Sequence, residues 1–110
     1  MDGVKRGDVV LITAQGDYGK PRPAVVVQSD LFNGTHASIS VCPISSTIVD
    51  APMFRIEIQP APSNGLKKKS QIMADKNQPL KRERIKKKIG ELAENEMHAV
   101  EVALKLWFNL

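Results

Sequence analysis

Lys20-Pro21-Arg22-Pro23-Ala24-Val25-Val26-Val27 couples a proline-braced cation directly to a β-branched apolar run. Pro21 fixes its own φ and Pro23 biases Arg22 towards an extended backbone, so the guanidinium leaves a stiff strand start in a restricted direction. Upstream, Arg6-Gly7-Asp8 leads into Val9-Val10-Leu11-Ile12, a second short apolar run. The pattern predicts two neighbouring strands joined by a polar, glycine-bearing loop from Gln15 to Lys20. A planar, permanently charged fork presented in this way suits a phosphate.

Working outward, short runs rich in Val, Ile and aromatic residues predict strands over 8–13, 24–28, 37–44, 53–58 and 71–74. Ser38-Ile39-Ser40-Val41-Cys42 and Phe54-Arg55-Ile56-Glu57-Ile58 alternate polar and apolar, as half-buried strands do. Asn33-Gly34 and Pro60-Ala61-Pro62-Ser63-Asn64-Gly65 punctuate them. Ser29 to Asn33 fits one helical turn capped by Ser29 or Asp30. Lys88-Ile89-Gly90-Glu91-Leu92 reads as a strand rather than a helix, because Gly90 weakens a helix there.

From about Glu94 to Trp107, apolar residues at Met97, Val100, Ala103, Leu104 and Trp107 follow the spacing of one helical face. Glu94 and Glu96 suit its first turn, and Glu101 with Lys105 makes an i,i+4 pair. The whole is expected to be one domain over residues 1–110, mainly β with a C-terminal helix, built on a strongly bent antiparallel sheet or barrel.

Composition narrows the function. With 110 residues, 42% hydrophobic and 25% charged, the chain reads as one small globular domain. No apolar stretch reaches the ~18 residues of a membrane span, and the N-terminus lacks an apolar signal core. A single cysteine, Cys42, excludes an intrachain disulfide. It is expected as a small buried hydrophobe in a protein of the reducing cytoplasm. Two histidines and scattered carboxylates argue against a metal site, and no cofactor motif is present.

Charge is concentrated. Residues 67–88 hold ten of the sixteen basic residues and only Asp75 and Glu83 as acids, so that window is +8 while the rest of the chain is −4. Such a surface favours a polyanion, nucleic acid first among them. The residues alone leave two further groups open. Ser45-Ser46-Thr47, after the run Val41 to Ile44, can donate to a phosphate or simply cap a turn. Asp75, amid the basic window, can act on a substrate or merely balance lysines.

Three segments in order carry a resemblance. They are Arg6-Gly7-Asp8-Val9-Val10 with Arg22-Pro23-Ala24-Val25-Val26-Val27, then Val41-Cys42-Pro43-Ile44-Ser45-Ser46, then Ser70-Gln71-Ile72-Met73-Ala74-Asp75-Lys76. Together they resemble the motifs of MazF/PemK-type toxins, endoribonucleases of bacterial toxin–antitoxin pairs. The resemblance implies an SH3-like barrel of the MazF/CcdB type, a homodimer, and a cognate antitoxin. It also implies sequence-specific, metal-independent cleavage of single-stranded RNA to a 2′,3′-cyclic phosphate and a 5′-hydroxyl. Catalysis then falls to Arg22, Ser45 and Asp75: a phosphate clamp, a hydroxyl in place of the frequent threonine, and a carboxylate that accepts a proton or holds a base. RNA contacts fall to Tyr18, Lys20, Ser46, Thr47, Lys67, Lys68, Lys69 and Lys76, with Lys86–Lys88 as a further backbone track.

The chain departs from the pattern in two places. Met73 stands where some relatives carry an arginine, and the loop before Lys20 has no histidine, leaving Tyr18 to stack on a base. Two other readings compete: a CcdB-like toxin that poisons a protein and cuts nothing, and a non-catalytic RNA-binding barrel.

Overall fold

The computed structural model describes residues 3–13 and 20–110. Seven strands form one antiparallel sheet: β1 (Asp8–Ile12), β2 (Arg22–Val26), β3 (Ser38–Ser45), β4 (Arg55–Ile58), β5 (Ser70–Met73), β6 (Gln78–Lys81) and β7 (Ile85–Glu91). Their order is β4-β5-β3-β2-β1-β7, with β6 also paired to β3. The expected bent antiparallel sheet with a terminal helix is therefore present, and its two free ends, β4 and β7, show that it bends without closing into a barrel.

The bend originates in β3. This strand pairs with β6 over Ser38–Val41 and with β5 at Ile44–Ser45, on opposite sides of Pro43. Between these two partners the chain turns through a 3-10 segment, Ala74–Lys76. Proline has no N–H for a ladder, so Pro43 is tolerated where β3 passes from one partner to the next.

Because side chains alternate along a strand, the sheet buries both faces. Val10, Ile12, Ala24, Val26, Ile39, Val41, Leu80 and Ile85 fill the concave side. Val9, Val25, Cys42, Ile44, Ile58 and Ile72 face the other way, against Met97 and Val100 of helix α2 (Glu94–Phe108). Each fully buried Val or Ile contributes roughly 1.5–3 kcal/mol relative to exposure, which explains why so small a chain needs both layers.

Helix α2 begins without a side-chain donor-acceptor at its N-cap, Ala93. Instead the Glu96 carboxylate accepts the Ala93 N–H at 2.9 Å. It ends at Asn109, whose φ of 58° is left-handed and whose N–H, with that of Leu110, satisfies the last carbonyls. A short α1 (Asp30–Asn33) lies after β2, with the Ser29 hydroxyl accepting the Leu31 N–H at 3.1 Å.

Several expectations need correction. β6 carries no strong strand signal, since Pro79 sits inside it; it forms because β3 supplies a partner and its own outer edge stays unpaired. Trp107, at the end of the helical stripe, is half exposed and packs on Phe54 at 5.7 Å between ring centroids. Glu101 pairs with Arg6 at 2.7 Å, not with Lys105, because the start of β1 lies beneath the helix.

Candidate active site

Strand parity assembles the site. Arg22 lies two residues before Ala24, Ser45 four after Val41, and Gln78 two before Leu80. Each therefore continues the concave-facing row of its own strand, at the end where the core stops. The β2–β3 register pairs Ala24 with Pro43, and continuing it by two residues sets Arg22 across from Ser45. Ile12 pairs with Arg22 from the other side and forms the apolar floor.

A cleft of about 880 Å³ opens there, lined by Lys20, Pro21, Arg22, Ser45, Ser46, Thr47, Leu66, Lys67, Lys68, Ser70, Met73 and Gln78 among others. Four of these are cations. Arg22 is exposed and makes no hydrogen bond or ion pair among the described residues, so its fork is open to a ligand. The Ser45 hydroxyl accepts the Thr47 N–H at 3.1 Å. That contact occupies a lone pair and directs the hydroxyl hydrogen away, so Ser45 is set up as a donor.

The opposite rim is placed by backbone packing. Asn64, 2% exposed, accepts from the N–H groups of Ala61 and Leu66 and donates to the Gln59 carbonyl. Gly65 and Gly90 allow this loop to lie directly on β7; a Cβ on Gly90 would stand 2.4 Å from the Asn64 carbonyl carbon. Leu66, Lys67 and Lys68 enter the cleft from this support.

The remaining sequence candidates separate. Asp75 does not line the cleft: its two oxygens accept from Arg55 Nε at 2.9 Å and Nη2 at 3.3 Å, both side chains being only 13% exposed. Lys69 pairs with Glu57 at 3.5 Å, and Lys76 sits exposed on the 3-10 turn; neither lines the cleft. Tyr18 lies outside the described residues. On β7, Lys88 is held by Glu91 at 2.7 Å and by buried Asp8 at 3.2 Å, and these two hydrogen bonds raise its pKa. Gln78, Leu66 and Ser70 are cleft residues that motif reading missed; the alternation of β6 around buried Leu80 was the only signal for Gln78.

Both histidines lie elsewhere. His36 is on the loop before β3, and His98 is exposed beside Glu101. Among the described residues no group of three His, Cys, Asp or Glu side chains is gathered as a metal site would require. A second groove, about 910 Å³, lies between the 48–53 loop and α2. It is mostly apolar, and its arginine, Arg55, is already engaged by Asp75. Among the described residues, the first cleft gathers an unengaged arginine, strand-end hydroxyls and lysines, as a phosphate site requires.

Residues 5–108 match the family model described as the PemK-like, MazF-like toxin of type II toxin–antitoxin systems. The chain belongs to this family. A protein named probable endoribonuclease MazF, from Mycolicibacterium smegmatis, is 38% identical over 108 residues, covering 97% of this chain and 98% of that protein. Among solved structures, the MazE–MazF complex of Deinococcus radiodurans matches with a TM-score of 0.82 at 23% identity, over 99% of both chains. The Mycobacterium tuberculosis toxin MazF-mt6 matches with a TM-score of 0.81 at 19% identity, over 94% of this chain and 97% of that one. At these identities the two structures speak for the fold. In this chain the strand-end hydroxyl of Ser45 lies across the β2–β3 register from Arg22, and both line the cleft.

Proposed function

We propose that this protein is the toxin of a toxin–antitoxin pair, a single-domain endoribonuclease that cuts single-stranded RNA at a short sequence without a metal ion. The observation that carries this is the open Arg22 fork facing the Ser45 hydroxyl at the mouth of a cationic cleft. The 38% identical relative, named as an endoribonuclease, supports it.

In the proposed reaction the ribose 2′-oxygen attacks the adjacent phosphorus and the bond to the 5′-oxygen breaks. The 2′-hydroxyl proton is lost as the leaving oxygen gains one, so the products are a 2′,3′-cyclic phosphate and a 5′-hydroxyl. Arg22 supplies two parallel N–H donors to the non-bridging oxygens, where negative charge grows. Ser45 adds a third donor, already oriented by Thr47. Lys20, Lys67 and Lys68 hold the flanking phosphates, with Ser46 and Thr47 as further donors. Arg22 remains charged throughout and is a clamp rather than a proton shuttle. Asp75, engaged on both oxygens by Arg55, positions the turn between β5 and β6 instead of touching the reacting atoms.

The same reading includes a homodimer, a cognate antitoxin and a cytoplasmic setting. Exposed Leu106, Trp107, Phe108 and Leu110 on the end of α2 are apolar surface that such partners would cover. A mycobacterial endoribonuclease of the same fold is found in complex with its cognate antitoxin. Among the described residues no helix is long and apolar enough to cross a membrane.

The test is incubation of the purified protein with mixed-sequence RNA in EDTA, followed by end mapping. Cleavage leaving cyclic-phosphate and 5′-hydroxyl termini is expected. RNA that stays intact until magnesium is added would overturn the metal-free mechanism.

A further inference from the structure

Six described carboxamide side chains are buried or half-buried: Gln28, Asn33, Asn64, Gln71, Asn77 and Gln78. Five of them are committed to the protein's own polar groups. Gln28 and Asn33 bond each other and the backbone, Asn64 ties its loop, Gln71 bonds Val49 twice, and Asn77 donates to the Ala74 carbonyl. Gln78 makes no side-chain hydrogen bond among the described residues, and it is the one that lines the cleft with Arg22 and Ser45. Its polar atoms are not buried without a partner but open into the cleft, so this carboxamide, unlike the other five, is free to meet a ligand.

We propose that Gln78 reads a nucleobase next to the scissile phosphate and is a specificity-determining residue of this toxin; the proposal rests on the endoribonuclease reading above. Its carboxamide presents a donor and an acceptor side by side in one plane, complementary to a base edge that offers a neighbouring acceptor and donor. Single-stranded RNA exposes such edges because its bases can be splayed out. The support is rigid: Gln78 pairs with Val41 of β3, and the Asn77 side chain clamps the preceding turn at 2.8 Å. A reading group on a strand holds its geometry better than one on a loop. Met73 and Leu66 line the same cleft and offer apolar contact to a base face. The cations around them bind phosphate and carry no sequence information, so among the cleft's long polar side chains Gln78 is the one suited to discriminate.

The experiment sequences the product ends from a random RNA pool cut by the wild-type protein, Gln78→Ala and Gln78→Glu, with a thermal melt of each. Loss of preference at one position beside the cut is expected in Gln78→Ala. The discrimination there should fall by about 5- to 150-fold, the range of a bidentate base contact, while cutting continues. Gln78→Glu presents two acceptors, so preference at that same position should move towards guanine, whose N1–H and N2–H2 are adjacent donors. An unchanged preference at every position in the folded variants, with or without a slower rate, overturns the proposal. Should the alanine variant melt early, the glutamate variant decides by the same criterion. A wild-type protein that cuts no RNA would overturn the endoribonuclease reading itself, and the role of Gln78 with it.

Discussion

Arg22 is exposed and unpartnered among the described residues, so removing it should touch chemistry and leave stability alone. Arg22→Ala is expected to lower the RNA cleavage rate about 10²- to 10³-fold, the usual loss for one transition-state donor set, with an unchanged melting temperature. Arg22→Lys should recover only part, because an ammonium cannot reproduce the fork. Cys42 makes a different residue-scale prediction. Burial, and secondarily the Asp75 charge, pushes its thiol up to about 12 from 9.0. A raised folded value means the stability is fully present below the unfolded pKa and is lost as pH rises from about 9 towards 12. Alkaline unfolding should therefore be delayed in Cys42→Ala relative to its own neutral-pH stability, and thiol reagents at pH 7 should label Cys42 only as fast as the protein opens.

At the scale of elements, the 59–66 loop and β7 behave as one unit because two glycines let their backbones touch. Gly90→Ala places a methyl against Asn64 backbone atoms about 2.5 Å away, which neither side can absorb without moving. Overpacking of this kind costs typically 1–3 kcal/mol. Because Lys67 and Lys68 hang from the same loop, denaturation should show that loss and KM for RNA should rise together. The Arg55–Asp75 pair ties β4 to the turn after β5. Breaking a largely buried pair from one side costs about 3–5 kcal/mol. Asp75→Asn should consequently melt earlier yet keep near-normal cleavage well below its melting point. Lost cleavage at an unchanged melting temperature would instead return Asp75 to the reaction.

For the whole molecule, charge geography governs substrate capture. The cleft gathers Lys20, Arg22, Lys67 and Lys68, while Lys69, Lys86 and Lys88 are wholly or partly engaged by Glu57, the Glu83 carbonyl, Asp8 and Glu91. Four phosphate contacts to a single strand at about 0.7 each give a slope near −3 for log affinity against log salt. A slope near −6, as about eight single-strand contacts from the +8 of the 67–88 window would give, would mean that the backbone track extends well beyond the cleft.

Local patterns in the chain were sufficient for most of the architecture. Alternation around Ile39, Val41 and Ile56, the β-branched run at Val25, and the helical stripe at Met97 and Val100 each encode an element within a few residues, because burying one face is a local demand. The proline-braced Arg22 was legible for the same reason. Three things were decided only by tertiary contacts. β6 exists because β3 offers it a partner, whatever the propensity of Pro79. Asp75 faces Arg55 and not the cleft, since the turn that carries it is pinned to β4. Gln78 meets Arg22 and Ser45 because the bent sheet brings the concave rows of three strands to one mouth. Pairing between distant segments sets such meetings, and no single segment of sequence contains both partners.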